Sequence, residues 1–201
     1  MQEKAVQTIV GEYTMQAKMD LVKKNHLITG EKLSTKLAVK NIDAIQKARL
    51  ISSLNAPNDT DRSNFQKLDE WIKKQCFAGF CGVGECRHSS IAYLRYLGTL
   101  SDDTSNSTKD VFVRKLSECR DGNGRWKGFP FYYTLLVLSE LTNQDALIEL
   151  QYAVPACQRA MKRIGRKDPY AKIRREVLSD VLGISSTSGV LDLLLMDNQI
   201  I

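Results

Sequence analysis

The sequence predicts an all-α fold, built as a helical hairpin repeat array, from three observations. Apolar residues recur at helical spacing over nearly the whole chain, no segment alternates like a strand, and one stretch repeats at an offset of 44 residues. The 201 residues, 43% hydrophobic and 26% charged, suit a single domain with a sizeable core. Only 12 Gly and 4 Pro occur, which excludes a low-complexity chain.

Val6, Ile9, Val10, Tyr13 and Ala17 line one face of a first helix ending near His26. Leu33, Leu37, Ile42, Ile45 and Ile51 mark a second over 31–55. The polar segment Ala56–Ser63 stops it, because Pro57 and the Asn and Asp side chains around it favour turns. Ser63 with Gln66 then reads as a capping box, opening a helix through Phe65, Leu68, Trp71 and Ile72. A loop rich in glycine and cysteine, Phe77–Gly84, leads to a helix carrying Ile91, Leu94 and Leu97 and ending at Gly98. The stretch Ser101–Thr108 reads as a solvated loop, followed by a helix over Val111–Cys119 and a second glycine loop, Arg120–Gly128. Pro130 opens the next helix from its first turn. Another covers 144–164 with a bend at Pro155, and Asp168 and Pro169 start a last one that Gly183 closes.

The 44-residue shift sets Leu68 on Phe112, Ile72 on Leu116 and Gly84 on Gly128. It also sets Ser90 on Thr134, Ile91 on Leu135, Leu94 on Leu138 and Leu97 on Leu141. Both copies read helix, glycine loop, helix. The resulting organisation is an N-terminal helical pair at 1–55, two related hairpins at 63–143, and a basic hairpin with an apolar tail at 144–201. Each hairpin has an apolar face it cannot bury alone, so about four of them stack into one array.

The segment Asp121-Gly-Asn-Gly-Arg-Trp-Lys-Gly-Phe-Pro-Phe-Tyr-Tyr-Thr134, continuing to Leu141, resembles a repeat of the α/α-toroid superfamily, which includes terpenoid cyclases and protein prenyltransferase β subunits. Gly79–Leu94 resembles it more loosely, and the two together span about residues 65–143. The resemblance implies a superhelix of hairpins, curved toward a ring. The prenyltransferase zinc ligands and the cyclase acid motif have no counterpart in this chain, so the family's catalysis does not carry over. Residues 168–183 are similar to the second half of a HEAT repeat, which leaves a HEAT-like superhelix open and adds HEAT-repeat DNA glycosylases by analogy.

Four groups of residues could carry chemistry. Cys76, Cys81 and Cys86, with His88 close by, are soft donors that could hold zinc or an iron–sulfur cluster. Four residues separate each cysteine pair, unlike a zinc knuckle, and the alternative is that cysteines fill tight helix crossings as small apolar residues. A nucleophilic Cys–His pair is disfavoured, since residues two apart on a helix point to different sides. Trp126, Tyr132 and Tyr133, with Arg125, could line a ligand pocket at a helix N-terminus. Alternatively Trp126 plugs its own loop while the tyrosines reach water.

The fourth group is a basic stripe: Arg159, Lys162, Arg163, Arg166, Lys167, Lys172, Arg174 and Arg175, against the single acid Asp168. Arg159, Lys162, Arg163 and Arg166 are expected on one helical face, where they could follow a phosphate backbone. The whole chain has 29 Lys and Arg against 23 Asp and Glu, a net charge of +6. No apolar run reaches the roughly 18 residues that span a bilayer, so no membrane partner is expected. The N-terminal stretch lacks the unbroken apolar run of a signal peptide, and five cysteines is an odd count; both point to reduced thiols in a cytoplasm. The apolar tail Val190–Met196 either caps the last hairpin or docks on a partner or a second copy of the chain. The functional expectation is a binding or scaffolding module that takes nucleic acid or an acidic protein on its basic face. The alternative is an enzyme with an aromatic pocket.

Overall fold

The computed structural model describes residues 25–53, 59–165 and 167–197, with the side chains of 59–62, 64 and 185–197 outside that description. The first expected helix, the stop at 56–58, Arg166 and the side chains of the apolar tail therefore lie outside the described residues. Among the described residues the fold is all-α, with seven α-helices, one 3-10 turn and no strand. Two isolated bridges, His26 with Lys32 and Arg120 with Trp126, pin loops. The helices are α1 (Lys36–Ser53), α2 (Asp59–Lys73), α3 (Cys86–Leu97), α4 (Asp103–Ser117), α5 (Phe131–Ser139), α6 (Gln144–Arg163) and α7 (Ala171–Asp197). The chain groups into two compact units, Met1–Asn106 and Ser107–Ile201, with the division inside α4.

In the N-terminal unit a turn at Gly30, whose φ is +89°, returns the chain so that Leu27 and Leu33 both enter the core. The second helix begins at Lys36 rather than at residue 31, because Thr35 is its cap: Thr35 Oγ1 accepts the Ala38 amide at 3.1 Å. Ala38, Ile42, Ile45 and Ala48 form its buried stripe, and α1 packs on α2 and α3. The third helix opens at Asp59, so Ser63 lies inside it and the expected capping box does not mark its start. Helix α3 is enclosed nearly all round, with Ser89–Leu94 and Tyr96–Leu97 buried.

Residues 103–108, expected as a loop, are the first turns of α4. Asp102 accepts the Ser105 amide at 2.9 Å and its hydroxyl at 2.7 Å, the bonding of a helix cap, which turns a polar run into a helix start. In the C-terminal unit α5, α6 and α7 pack on one another. Pro130 is the cap residue of α5, one position ahead of the expected first turn, and α6 runs through Pro155. Gly183 does not close α7, which continues to Asp197; an interior glycine weakens a helix without stopping it.

Helices α2 and α4 are each 15 residues long and begin 44 residues apart, at Asp59 and Asp103. Gly84 and Gly128 both have positive φ, +49° and +76°. Ile72 and Leu116, Ser90 and Thr134, Ile91 and Leu135, and Leu94 and Leu138 are all buried.

Candidate functional site

The loop between α2 and α3 gathers three thiols. Cys76 starts a 3-10 turn that ends at Phe80 in the left-handed region, φ +63°, and the reversal carries Cys81 back toward the start of α3. Phe77, fully buried, anchors the turn, and Ser90 Oγ donates to the carbonyls of Phe77 at 3.1 Å and Cys81 at 3.3 Å. Cys86 is the first residue of α3. The Sγ atoms of Cys76, Cys81 and Cys86 lie within 4.8 Å of one another, and those of Cys76 and Cys86 are 3.6 Å apart. Burial pushes the Cys86 thiol up to about 12, and the neighbouring Cys76 and Cys81 add to the shift.

His88 is not in this group. Its Nδ1 is buried without a hydrogen-bond partner among the described residues, and burial holds its pKa below the ordinary imidazole value. The packing role expected of the cysteines fits Cys157, which is fully buried on α6. It does not fit the clustered three: Cys76 is exposed, and Cys81 and Cys86 are half-buried.

Next to the thiols, Thr35, Leu37, Ala38, Asn41, Glu85, Cys86 and Ser89 line a cleft of about 200 Å³ between α1 and α3. The Glu85 carboxylate accepts the amides of Ser34 and Thr35, tying the start of α3 to the start of α1. Burial acts to raise the Glu85 pKa, but the hydrogen bonds from Ser34 and Thr35, together with the charge of His88, outweigh it and hold the carboxyl below its usual range. Asn41 Oδ1 and Ser89 Oγ are buried with no hydrogen-bond partner among the described residues.

In the C-terminal unit the basic residues surround the α6–α7 turn. Arg159, Lys162, Arg163, Lys167, Lys172 and Arg175 are exposed. Helix α6 ends at Arg163, so the expected helical face stops there and does not extend to Arg166. Three of the cations have work inside the unit. Arg174 pairs with Asp168 at 2.7 Å, with its guanidinium 4.6 Å from the Tyr132 ring centre. Arg175 donates to the Ile164 carbonyl at 3.0 Å, and Arg159 donates to the Asn123 carbonyl. Lys162, Arg163, Lys167 and Lys172 point to solvent.

The aromatic loop is packed onto α6. Trp126 is 3% exposed, and its indole N–H donates to Glu149 Oε2 at 2.7 Å. Glu149, itself 2% exposed, also accepts Arg120 Nη2 at 2.6 Å. Tyr152 donates to Asp121 Oδ1 at 3.2 Å and accepts the Gly122 amide at 2.9 Å. Tyr133 is buried rather than reaching water; Tyr132 is half-buried, and the Arg125 guanidinium lies 4.2 Å from the Phe131 ring centre. A cleft of about 180 Å³ on this unit is lined instead by Val113, Arg114, Ser117, Arg120, Asp145, Ile148 and Glu149. Glu149 went unforeseen; the signal for it was a tryptophan in a glycine loop, whose buried N–H needs an acceptor.

No described helix is long and apolar enough to cross a membrane. No family model matches the chain, no curated protein matches it, and no solved structure matches it.

Proposed function

We propose that the chain is a cytoplasmic helical-repeat module that binds the phosphate backbone of nucleic acid through the α6–α7 turn. The observation that carries this reading is the exposure of Lys162, Arg163, Lys167 and Lys172 around one turn, where Asp168, the single acid of residues 159–175, is committed to Arg174. Such a surface attracts phosphates by counterion release, a term that is independent of base sequence. Arg174, Arg175 and Arg159 hold the turn in shape, and the four unengaged cations make the contacts. The repeat supports the scaffold half of the proposal. Two 15-residue helices 44 residues apart, each followed by a glycine of positive φ, fit two copies of one hairpin.

Titration of a fluorescent DNA oligonucleotide with the intact chain and with Arg163→Glu and Lys167→Glu tests the reading. Each reversal is expected to weaken binding by a similar factor for oligonucleotides of unrelated sequence. Binding that both reversals leave unchanged contradicts it, and so does displacement by polyglutamate as effective as displacement by DNA, which marks an acidic protein as the partner.

A further inference from the structure

We propose that Cys76, Cys81 and Cys86 bind one thiophilic cation, Zn(II), as a three-thiolate site whose fourth position is left to water or an outside ligand. This inference is independent of the nucleic-acid reading, since all three thiols lie in the N-terminal unit and the basic turn in the other.

The geometry is nearly that of a loaded site. Sulfurs bound at about 2.3 Å to a tetrahedral zinc stand roughly 3.8 Å from one another. Cys76 and Cys86 are already 3.6 Å apart, and no pair of the three exceeds 4.8 Å. Closing the site needs movements of under about 1 Å, within the reach of cysteine rotamers.

The backbone that holds the thiols is fixed independently of them. Phe77 plugs the 3-10 turn into the core, Ser90 binds the carbonyls of Phe77 and Cys81, and Glu85 ties the α3 start to Ser34 and Thr35.

The chemistry balances without a redox partner. Three S–H bonds ionise, three protons pass to solvent, three metal–sulfur bonds form, and nothing is oxidised or reduced. A structural zinc site takes four protein ligands, whereas three with one position open is the arrangement of sites that exchange a ligand. Among the described residues no fourth His, Cys, Asp or Glu joins the three, and Cys76 is exposed.

The test uses the reduced, untagged full chain with Co(II) as a spectroscopic probe and Zn(II) in competition. One Co(II) per chain is expected, with thiolate-to-cobalt charge-transfer bands that Zn(II) abolishes and that shift when imidazole is added. Cys76→Ser, at an exposed position, and Cys81→Ser are each expected to weaken Zn(II) binding by more than about a hundredfold. Cys119→Ser and His88→Ala are expected to leave it unchanged, with circular dichroism showing all four variants folded. Failure to bind Co(II), or binding that survives Cys81→Ser, overturns the site. Loss of Zn(II) from folded His88→Ala, or a spectrum that imidazole does not move, overturns the open position.

Discussion

Gly124 carries a tight backbone requirement in the C-terminal unit. Its φ is +85°, and a Cβ there would stand 2.9 Å from the Ala156 Cβ and 3.2 Å from the Tyr152 carbonyl oxygen. Gly124→Ala therefore combines left-handed strain of about 1–2 kcal/mol with a clash against helix backbone. We expect a loss above about 2 kcal/mol in urea unfolding, together with a weakened Trp126–Glu149 contact seen by tryptophan fluorescence. Cys157 gives a pH dependence. Burial pushes its thiol from the ordinary 9.0 up to about 12, against a smaller opposing pull from Arg125. The native state thus holds a proton that the unfolded chain releases, so this stability is present below pH 9.0 and lost as pH rises toward about 12. Unfolding midpoints of Cys157→Ala are expected to fall less steeply than the parent's across that window. The sequence made Trp126 conspicuous as a plug whose N–H needs an acceptor, but did not single out Glu149 as that acceptor, because the pairing joins residues 23 apart through tertiary contact.

Helix spacing was the legible layer at the scale of elements, and helix ends were not. Apolar periodicity marks the interior of α1 and α3, but a cap depends on which side chain the backbone amides find. Asp102 is such a case: its bond to the Ser105 amide makes 103–108 helical where composition alone reads loop. Asp102→Ala is expected to cost about 1 kcal/mol and to speed amide exchange in the first turn of α4. Gly183 is the converse. It reads as a helix end, yet α7 passes through it, and a Cβ there meets open space. Gly183→Ala is expected to stabilise the chain by up to about 1 kcal/mol, because alanine restricts the unfolded state and favours helix; thermal unfolding checks this. A drop in melting temperature contradicts the continuous helix.

For the whole molecule, what the sequence conveyed best was class and charge. The all-α class follows from periodicity, and the basic run is visible as composition. Which cations face solvent was not visible, since Arg174 and Lys172 look alike until Asp168 and Tyr132 are placed around one of them. The thiols behaved in the opposite way. Their spacing of four intervening residues argues against a metal knuckle, yet a 3-10 turn and the left-handed Phe80 fold that spacing into a cluster. The central claim, a phosphate-binding turn, is tested most directly by the salt dependence of DNA affinity. With about four phosphates neutralised, the logarithm of the binding constant is expected to fall against the logarithm of salt concentration with a slope of roughly −3 to −4. Lys167→Glu should reduce that slope by about 1. A slope near zero, or one that Lys167→Glu does not alter, contradicts the account.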